Sequence, residues 1–345
     1  MGRLRIMVCG AGFFGRKWLE VIRARPDCEI AGIVSRTPAR LDEARRELGL
    51  DGVAGYASLD EAVARAHADA VVVALPQMLH RETIVRALRA GWHVLTEKPL
   101  AMTMDEARAI LDASCARRDR VVMVNQNFRW RPHTLAFARG VREGLIGRPA
   151  HLMLECRQQI RRTTVEAWRE RMVEPYLLDF SIHHFDLLRY LTGDEPHEVV
   201  AMSFRPSWSW FAGNSAAAAI VTMASGLVVS YTGMMVAQGL ETPQEGLITL
   251  TGELGTLHLD GASCVSLLGQ GEPRPIPGEP VPESDLGRGL AQFVDAIRTG
   301  RQPETHLGDN VRSFALLIAA VESARARRAV RVDDLLPDLA RRERP

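Results

Sequence analysis

LRIMVCGAGFFGRKW, residues 4–18, is the stretch that decides the reading of this chain. An apolar run, Ile6 to Cys9, ends in Gly10, Gly12 and Gly15, and a helix-like segment follows at once. That order is strand, tight turn, helix N-terminus. The first glycine lets the chain turn, the second lets backbone approach a pyrophosphate, and the third lets helix pack on strand. The helix N-terminus then faces the anion with its orphan N–H groups and its dipole. Glycine-rich turns are common. The strand before this one and the βαβ rhythm after it are what give it meaning as a dinucleotide site.

The rhythm runs through residue 125. Strands are predicted over 4–9, 29–35, 70–75, 93–96 and 121–124, with helices over 14–24, 38–48, 59–66, 80–90 and 104–117. Pro38 suits a first helical turn and Gly91 a C-cap. Alternating strands and helices imply a doubly wound parallel sheet, an α/β Rossmann domain over 1–125. From about Pro132 the pattern changes. β-rich runs over 151–159, 198–204, 217–223, 227–236, 247–251 and 256–259 often follow one another without a helix. They predict an α+β domain over 126–345 with a mostly antiparallel open sheet. Helices are expected over 165–171 and 178–191, a proline-rich loop over 272–282, then helices over 286–299 and 311–326. The closing RRERP is expected to fray.

Bulk properties narrow the function. A chain of 345 residues with 46% hydrophobic content supports two cores. A net charge of +1 without a basic, aromatic-laced stripe argues against nucleic acid. Cys9, Cys28, Cys115, Cys156 and Cys264 are scattered with no CxxC pair, which speaks against a zinc cluster and for a reducing cytosol. A strand opening so close to Met1 leaves no room for a secretory leader, so a cytoplasmic protein is expected. Residues 206–240 carry no charge. Polar interruptions and the Ser225-Gly226 turn make AAIVTM and LVVSYTGMMV a hairpin rather than a membrane span.

Three further places carry chemistry. The second strand ends in Ser35-Arg36-Thr37, where an NAD-specific fold usually has a carboxylate for the ribose 2′-hydroxyl. Arg36 can pair with a 2′-phosphate, which favours NADP over NAD, although a solvated arginine beside a turn fits as well. The fourth strand runs into Glu97-Lys98-Pro99, beyond its carboxyl end, where ligands of such sheets sit. Lys98 there either binds a substrate oxygen or is a surface lysine. In LLDFSIHHFDLLRYLTG, Asp179 and His183 are four apart and would share a helix face, with Asp186 near the same stripe. A carboxylate beside an imidazole suits a general base. An ordinary core histidine is the competing reading. Trp208 and Trp210 are expected to pack on one strand face.

Together these elements resemble the Gfo/Idh/MocA family, the glucose–fructose oxidoreductase and inositol dehydrogenase group. The likeness runs from GAGFFG through AGWHVLTEKPLAMTMDEA, NFRWRP, AWRE and the Asp179/His183 helix to ITLTGELGTLHLDG. It implies that Gly10, Gly12 and Gly15, with Phe13 and Phe14 between them, hold the pyrophosphate. Ser35, Arg36 and Thr37 would meet the adenosine ribose. Pro76 and His80 would line the cofactor cleft, Glu97 would touch the nicotinamide ribose, and Asn127, Arg129, Trp168 and Arg169 would lie nearby. Lys98 would polarise the reacting hydroxyl, Asp179 would orient substrate or base, and His183 would be the base, with no metal. Departures occur at VEPYLL, where many relatives have GGG, at Ser181, at LPQML, where many carry asparagine, and at Trp92. They bear on substrate shape.

The implied activity is NADP- or NAD-dependent hydride transfer at a secondary alcohol of a sugar, sugar derivative or cyclitol. A homodimer or homotetramer through the second sheet is expected, without membrane or nucleic-acid partners. A redox-assisted lyase or glycosidase that recycles its cofactor, and a non-catalytic nucleotide-binding regulator, are the alternatives.

Overall fold

A computed structural model describes residues 2–269, 271–278, 280 and 283–336, which fall into two compact units. The first comprises the chain up to Asn127 together with Glu283–Val311. The second begins at Phe128 and resumes at Arg312. The closing RRERP lies outside the described residues, as do positions 279, 281 and 282 of the predicted proline-rich loop.

The first unit is built on six strands: β1 (Leu4–Cys9), β2 (Cys28–Val34), β3 (Gly55–Tyr56), β4 (Ala70–Val73), β5 (His93–Thr96) and β6 (Val122–Val124). Their order is β3-β2-β1-β4-β5-β6, and every pairing is parallel. Ile6 to Cys9 and Val71 to Val73 are fully buried, as strands covered on both faces must be. Helices α1 (Phe13–Arg23), α2 (Pro38–Leu48), α3 (Leu59–Arg65), α4 (His80–Arg89) and α5 (Met104–Cys115) alternate with them. Local sequence sets their starts. Ser58 and Thr103 accept hydrogen bonds from the N–H groups of Glu61 and Glu106, whose carboxylates accept from Ala57 and Met102 N–H. Both resemble a capping box, with the carboxylate reaching the N–H one residue before the cap. Gly49 closes α2 at φ 60°. The sequence misses β3, which has two residues and no readable alternation.

His93 on β5 gives this unit a pH dependence. Its Nδ1 accepts the Val121 N–H at 3.0 Å. Burial, reinforced by Arg120, pushes its pKa down from 6.5 to about 4. Below pH about 6.5 the unfolded chain takes a proton that the folded one refuses, so stability must fall as pH drops from about 6.5 to about 4. Urea midpoints across that window should show the decline, and His93→Asn should flatten it. An unchanged slope would assign the effect elsewhere.

In the second unit, α6 (Pro132–Arg142) precedes β7 (Pro149–Arg157), and α7 (Ser181–Thr192) precedes β8 (Pro196–Phe204), β9 (Ala216–Met223) and β10 (Val228–Met234). β11 (Leu247–Gly252), β12 (Gly255–Leu259), β13 (Cys264–Leu268) and β14 (Arg274–Pro275) follow. α8 (Asp285–Thr299) belongs to the first unit, and after α9 (Leu307–Ala326) comes β15 (Val330–Arg331). The nine-stranded sheet is ordered β14-β13-β12-β11-β7-β10-β9-β8-β15, antiparallel except for β7 with β10. Within the uncharged stretch, β9 and β10 form a hairpin that turns at Gly226 with φ 89°. No helix among the described residues is long and apolar enough to cross a membrane.

Alternation sorts this sheet into two faces. Leu152, Leu154, Val199, Val221, Val229, Ile248 and Leu257 are buried. On the opposite face the register places Val200 beside Ile220, Ile220 beside Ser230 and Ser230 beside Met153, and the three apolar residues are exposed.

Three expectations need correction. Helix 165–171 is only a short 3₁₀ turn, Ala167–Arg171. Trp208 and Trp210 lie in the irregular segment between β8 and β9, just past Pro206, which has no ladder N–H to give. Their indole N–H groups donate to Val236 and Ile160 carbonyls, both at 2.8 Å. The run 178–191 is not one α-helix: a π-helical turn, Tyr176–Phe180, leads into α7. Asp179 therefore sits in the wide turn and His183 in the α-helix.

Candidate active site

In the first unit the strand order reverses between β1 and β4, the place where open α/β sheets leave a crevice at their carboxyl ends. Gly10 turns there at φ 115°, and a Cβ on it would stand 2.3 Å from the Ala74 carbonyl oxygen. A Cβ on Gly15 would stand 1.9 Å from the Gly10 oxygen, so α1 can approach the turn only through glycine. Gly12 caps α1 without a side-chain hydrogen bond, and no acidic residue occupies the first helical turn. Phe13 and Phe14 are exposed beside them, edge to face at 5.4 Å, with the Lys17 ammonium 4.5 Å from the Phe13 centroid. A bare backbone cradle at a helix N-terminus fits a pyrophosphate.

The tips of the other strands complete this half. At the end of β2, Ser35 Oγ donates to the Thr37 carbonyl at 3.1 Å and accepts the Thr37 N–H at 3.3 Å, leaving Arg36 exposed on the turn. Past β4, Pro76 opens a 3₁₀ turn that delivers His80 to the start of α4. His80 is fully buried, its ring nitrogens 2.8 Å from the Pro99 carbonyl and 2.9 Å from that of Leu75. Burial lowers its pKa, and the ring lies between the Lys98-Pro99 turn and the loop after β4. The Lys98–Pro99 peptide is cis. Glu97, 7% exposed, accepts on Oε1 from Trp18 Nε1 at 2.9 Å and Asn125 Nδ2 at 3.0 Å. Burial pushes its carboxyl pKa up despite those donors. Lys98 follows it, half-buried. Asn127 gives its amide to Asp285 at 2.6 Å.

Sequence reasoning passes over two residues at this edge. Gln77 and Gln126 lie beyond the ends of β4 and β6, are 3% and 1% exposed, and their side-chain amides have no hydrogen-bond partner among the described residues. A buried unpaired amide costs about 1–3 kcal/mol. A bound molecule's polar atoms would remove that cost. The available signal is LPQML, which departs from the family at Gln77.

The second unit holds the remaining candidates: Trp168, Arg169, Asp179 and His183. Arg169 Nε donates to Asp179 Oδ2 at 2.8 Å, and its guanidinium lies 4.9 Å from the Trp168 ring centroid. Asp179 is thus engaged by a cation from the AWRE segment, a partnership that helix periodicity does not foresee. His183 lies flat on Phe128, centroids 4.1 Å apart and planes 9° apart. His184 faces another way, its nitrogens 2.8 Å from the Tyr231 hydroxyl and 2.8 Å from the Gln244 carbonyl. Asp186, although near the His183 stripe, is committed to Arg129. Nε and Nη2 of that arginine donate to its two oxygens, each at 2.6 Å, and Ser313 Oγ donates at 2.8 Å. Arg129 is therefore a buried strut.

Comparison with known proteins agrees with this anatomy. Residues 4–126 match the model of an oxidoreductase family with an NAD-binding Rossmann fold, and residues 135–258 match a GFO/IDH/MocA C-terminal domain. The chain is 28% identical over 348 residues to a D-apiose dehydrogenase of Paraburkholderia graminis, covering 96% of this chain and 91% of that one. It is 29% identical over 333 residues to a 1,5-anhydro-D-fructose reductase of Ensifer adhaerens, covering 94% and 97%. Its fold matches that of an Agrobacterium radiobacter oxidoreductase solved with NAD+, L-tartaric acid and magnesium, with a TM-score of 0.87 and 23% identity over 97% of this chain and 100% of that one. The chain belongs to the Gfo/Idh/MocA family of nicotinamide-dependent oxidoreductases.

Proposed function

We propose that this enzyme exchanges a hydride between the nicotinamide and a secondary alcohol of a sugar, sugar derivative or cyclitol, with His183 as the proton acceptor. The observation that carries the reading is the oriented His183 imidazole on a chain that also has a glycine cradle for pyrophosphate and a lysine at a strand tip. The D-apiose dehydrogenase and the anhydrofructose reductase among its relatives support a polyhydroxylated substrate. When bound, the nicotinamide supplies the hydride acceptor. In the oxidative direction the His183 imidazole takes the hydroxyl proton as the C–H bond breaks. The Lys98 ammonium donates to the same oxygen as negative charge develops, which is stabilisation aimed at the transition state. Asp179, held by Arg169, orients the imidazole or a neighbouring hydroxyl. Gly10, Gly12, Phe13, Phe14 and Gly15 would hold the pyrophosphate, and Pro76, Glu97, Asn127 and Trp168 would serve the nicotinamide end. His80 fixes the Lys98 turn from behind.

For the cofactor, the absence of a carboxylate at Ser35-Arg36-Thr37 supports NADP ahead of NAD. The test is absorbance at 340 nm with both nucleotides against a panel of sugars, sugar acids and inositols. Arg36→Ala should raise the Kd for NADP by about ten- to a hundredfold, the worth of a hydrogen bond to a charged group. NAD binding should barely change. Equal effects on both would remove the preference.

The exposed apolar row Val200, Ile220 and Met153 supports self-association through the open sheet face as a dimer or tetramer. A monomeric mass by light scattering would contradict this. The five cysteines are unbridged, which suits the cytoplasm.

A further inference from the structure

The geometry points to Phe128 as a positioning residue for His183, the inner layer of a stack that fixes the plane of the imidazole. The inference rests on the reading of His183 as the base. Three layers lie in sequence within the second unit. The Arg131 guanidinium carbon sits 3.8 Å from the Phe128 centroid on the ring face. Phe128 in turn covers His183 at 4.1 Å with only 9° between the planes. Arg131 is itself anchored by an ion pair with Glu245, which is 5% exposed.

The short turn that carries these side chains is pinned on both sides. Phe128 and Arg129 belong to the 3₁₀ turn Asn127–Trp130, and Arg131 caps α6 with Pro132 in its first turn, a start that proline pre-organises. Arg129 grips Asp186, three residues past His183 on α7, through two hydrogen bonds of 2.6 Å. One turn therefore holds α7 at Asp186 and lays a flat ring on His183.

A histidine that must take a proton from a hydroxyl needs its nitrogen aimed along one line. The torsion between Cβ and an aromatic ring is broad and poorly restrained by itself. A face-to-face neighbour removes that freedom without competing for either nitrogen, as a hydrogen-bonding partner would. The electron-rich face of Phe128 is engaged by a cation on its far side, which keeps the phenyl ring in place. Neither Phe128 nor Arg131 needs to touch substrate for this.

Phe128→Leu keeps an apolar side chain and removes the flat surface, whereas Phe128→Tyr keeps the surface. Kinetics and NMR of the His183 ring protons, assigned by their loss in His183→Asn, give two independent readouts. A phenyl face shifts stacked protons upfield. The expected result is that Phe128→Leu moves the His183 signals downfield and lowers kcat by about ten- to a hundredfold with KM unchanged, the usual cost of a misplaced group. Phe128→Tyr should restore both. Unmoved His183 signals in Phe128→Leu would show that the stack does not exist in solution and overturn the proposal. Moved signals with unchanged kcat would overturn the positioning role alone. If the wild type itself passes no hydride from any alcohol of the panel, the catalytic reading fails and the proposal falls with it, whatever the NMR shows.

Discussion

Asp186→Ala should destabilise the second unit by about 3–5 kcal/mol, the cost of leaving a buried cation without its partner. Arg129 is 4% exposed and Asp186 1%, and the carboxylate accepts two guanidinium hydrogen bonds and one from Ser313. Ser313 also accepts from Arg189, which reaches Glu195 through bonds of 2.7 and 2.8 Å. Truncation at Asp186 thus strands a guanidinium where water cannot solvate it. Replacing both partners, Arg129→Met with Asp186→Leu, should recover much of the loss, because the desolvation cost of the pair disappears with it. Urea unfolding of the single and double variants checks this. A loss below about 0.5 kcal/mol in the single variant would put the pair among exposed salt bridges.

The position of that pair explains why its variants should also reach activity. Asp186 follows His183 by less than one turn of α7, and Arg129 follows Phe128 in the chain. A loosened clamp would free the helix face that bears the imidazole. Loss of activity in Asp186→Ala is therefore expected without any contact between Asp186 and substrate.

Most of the first unit was legible in residue order. β1, the three glycines and α1 are consecutive, and β4, β5 and β6 are short, largely buried apolar runs. The two-residue β3 gave no period to read. In the second unit β7 to β12 were legible from alternation, whereas β13, the short β14 and β15, and helix α6 were not foreseen. The parallel pairing of β7 with β10 was not legible, because it joins segments more than 70 residues apart, Val228 opposite His151. The candidate site divides in the same way. Gly10, Lys98 and His183 announce themselves through neighbours in the chain. Phe128 on His183 and Arg129 on Asp186 are partners across more than 50 residues, and periodicity carries no information about such pairs. The π-helical turn at Tyr176–Phe180 was invisible for another reason: its residues read as an ordinary helix, and only the fold shows the extra width, a feature frequent at functional sites.

The second large effect concerns the chemistry. Removing a general base costs about 10²- to 10⁴-fold, and removing a donor aimed at a developing alkoxide costs about 10²- to 10³-fold. His183→Ala and Lys98→Ala should each lower kcat/KM for the best alcohol of the panel by such factors, with nucleotide affinity little changed. Groups that act on one oxygen in one transition state lose their effects together, so the two losses should not multiply.

The double-mutant cycle of Lys98→Ala and His183→Ala, read as the rate of nicotinamide reduction in a single turnover, tests the central claim most directly. The account predicts two severe single losses and a double variant scarcely worse than the poorer single one. Near wild-type rates in either single variant, or losses that multiply as for independent sites, would contradict it.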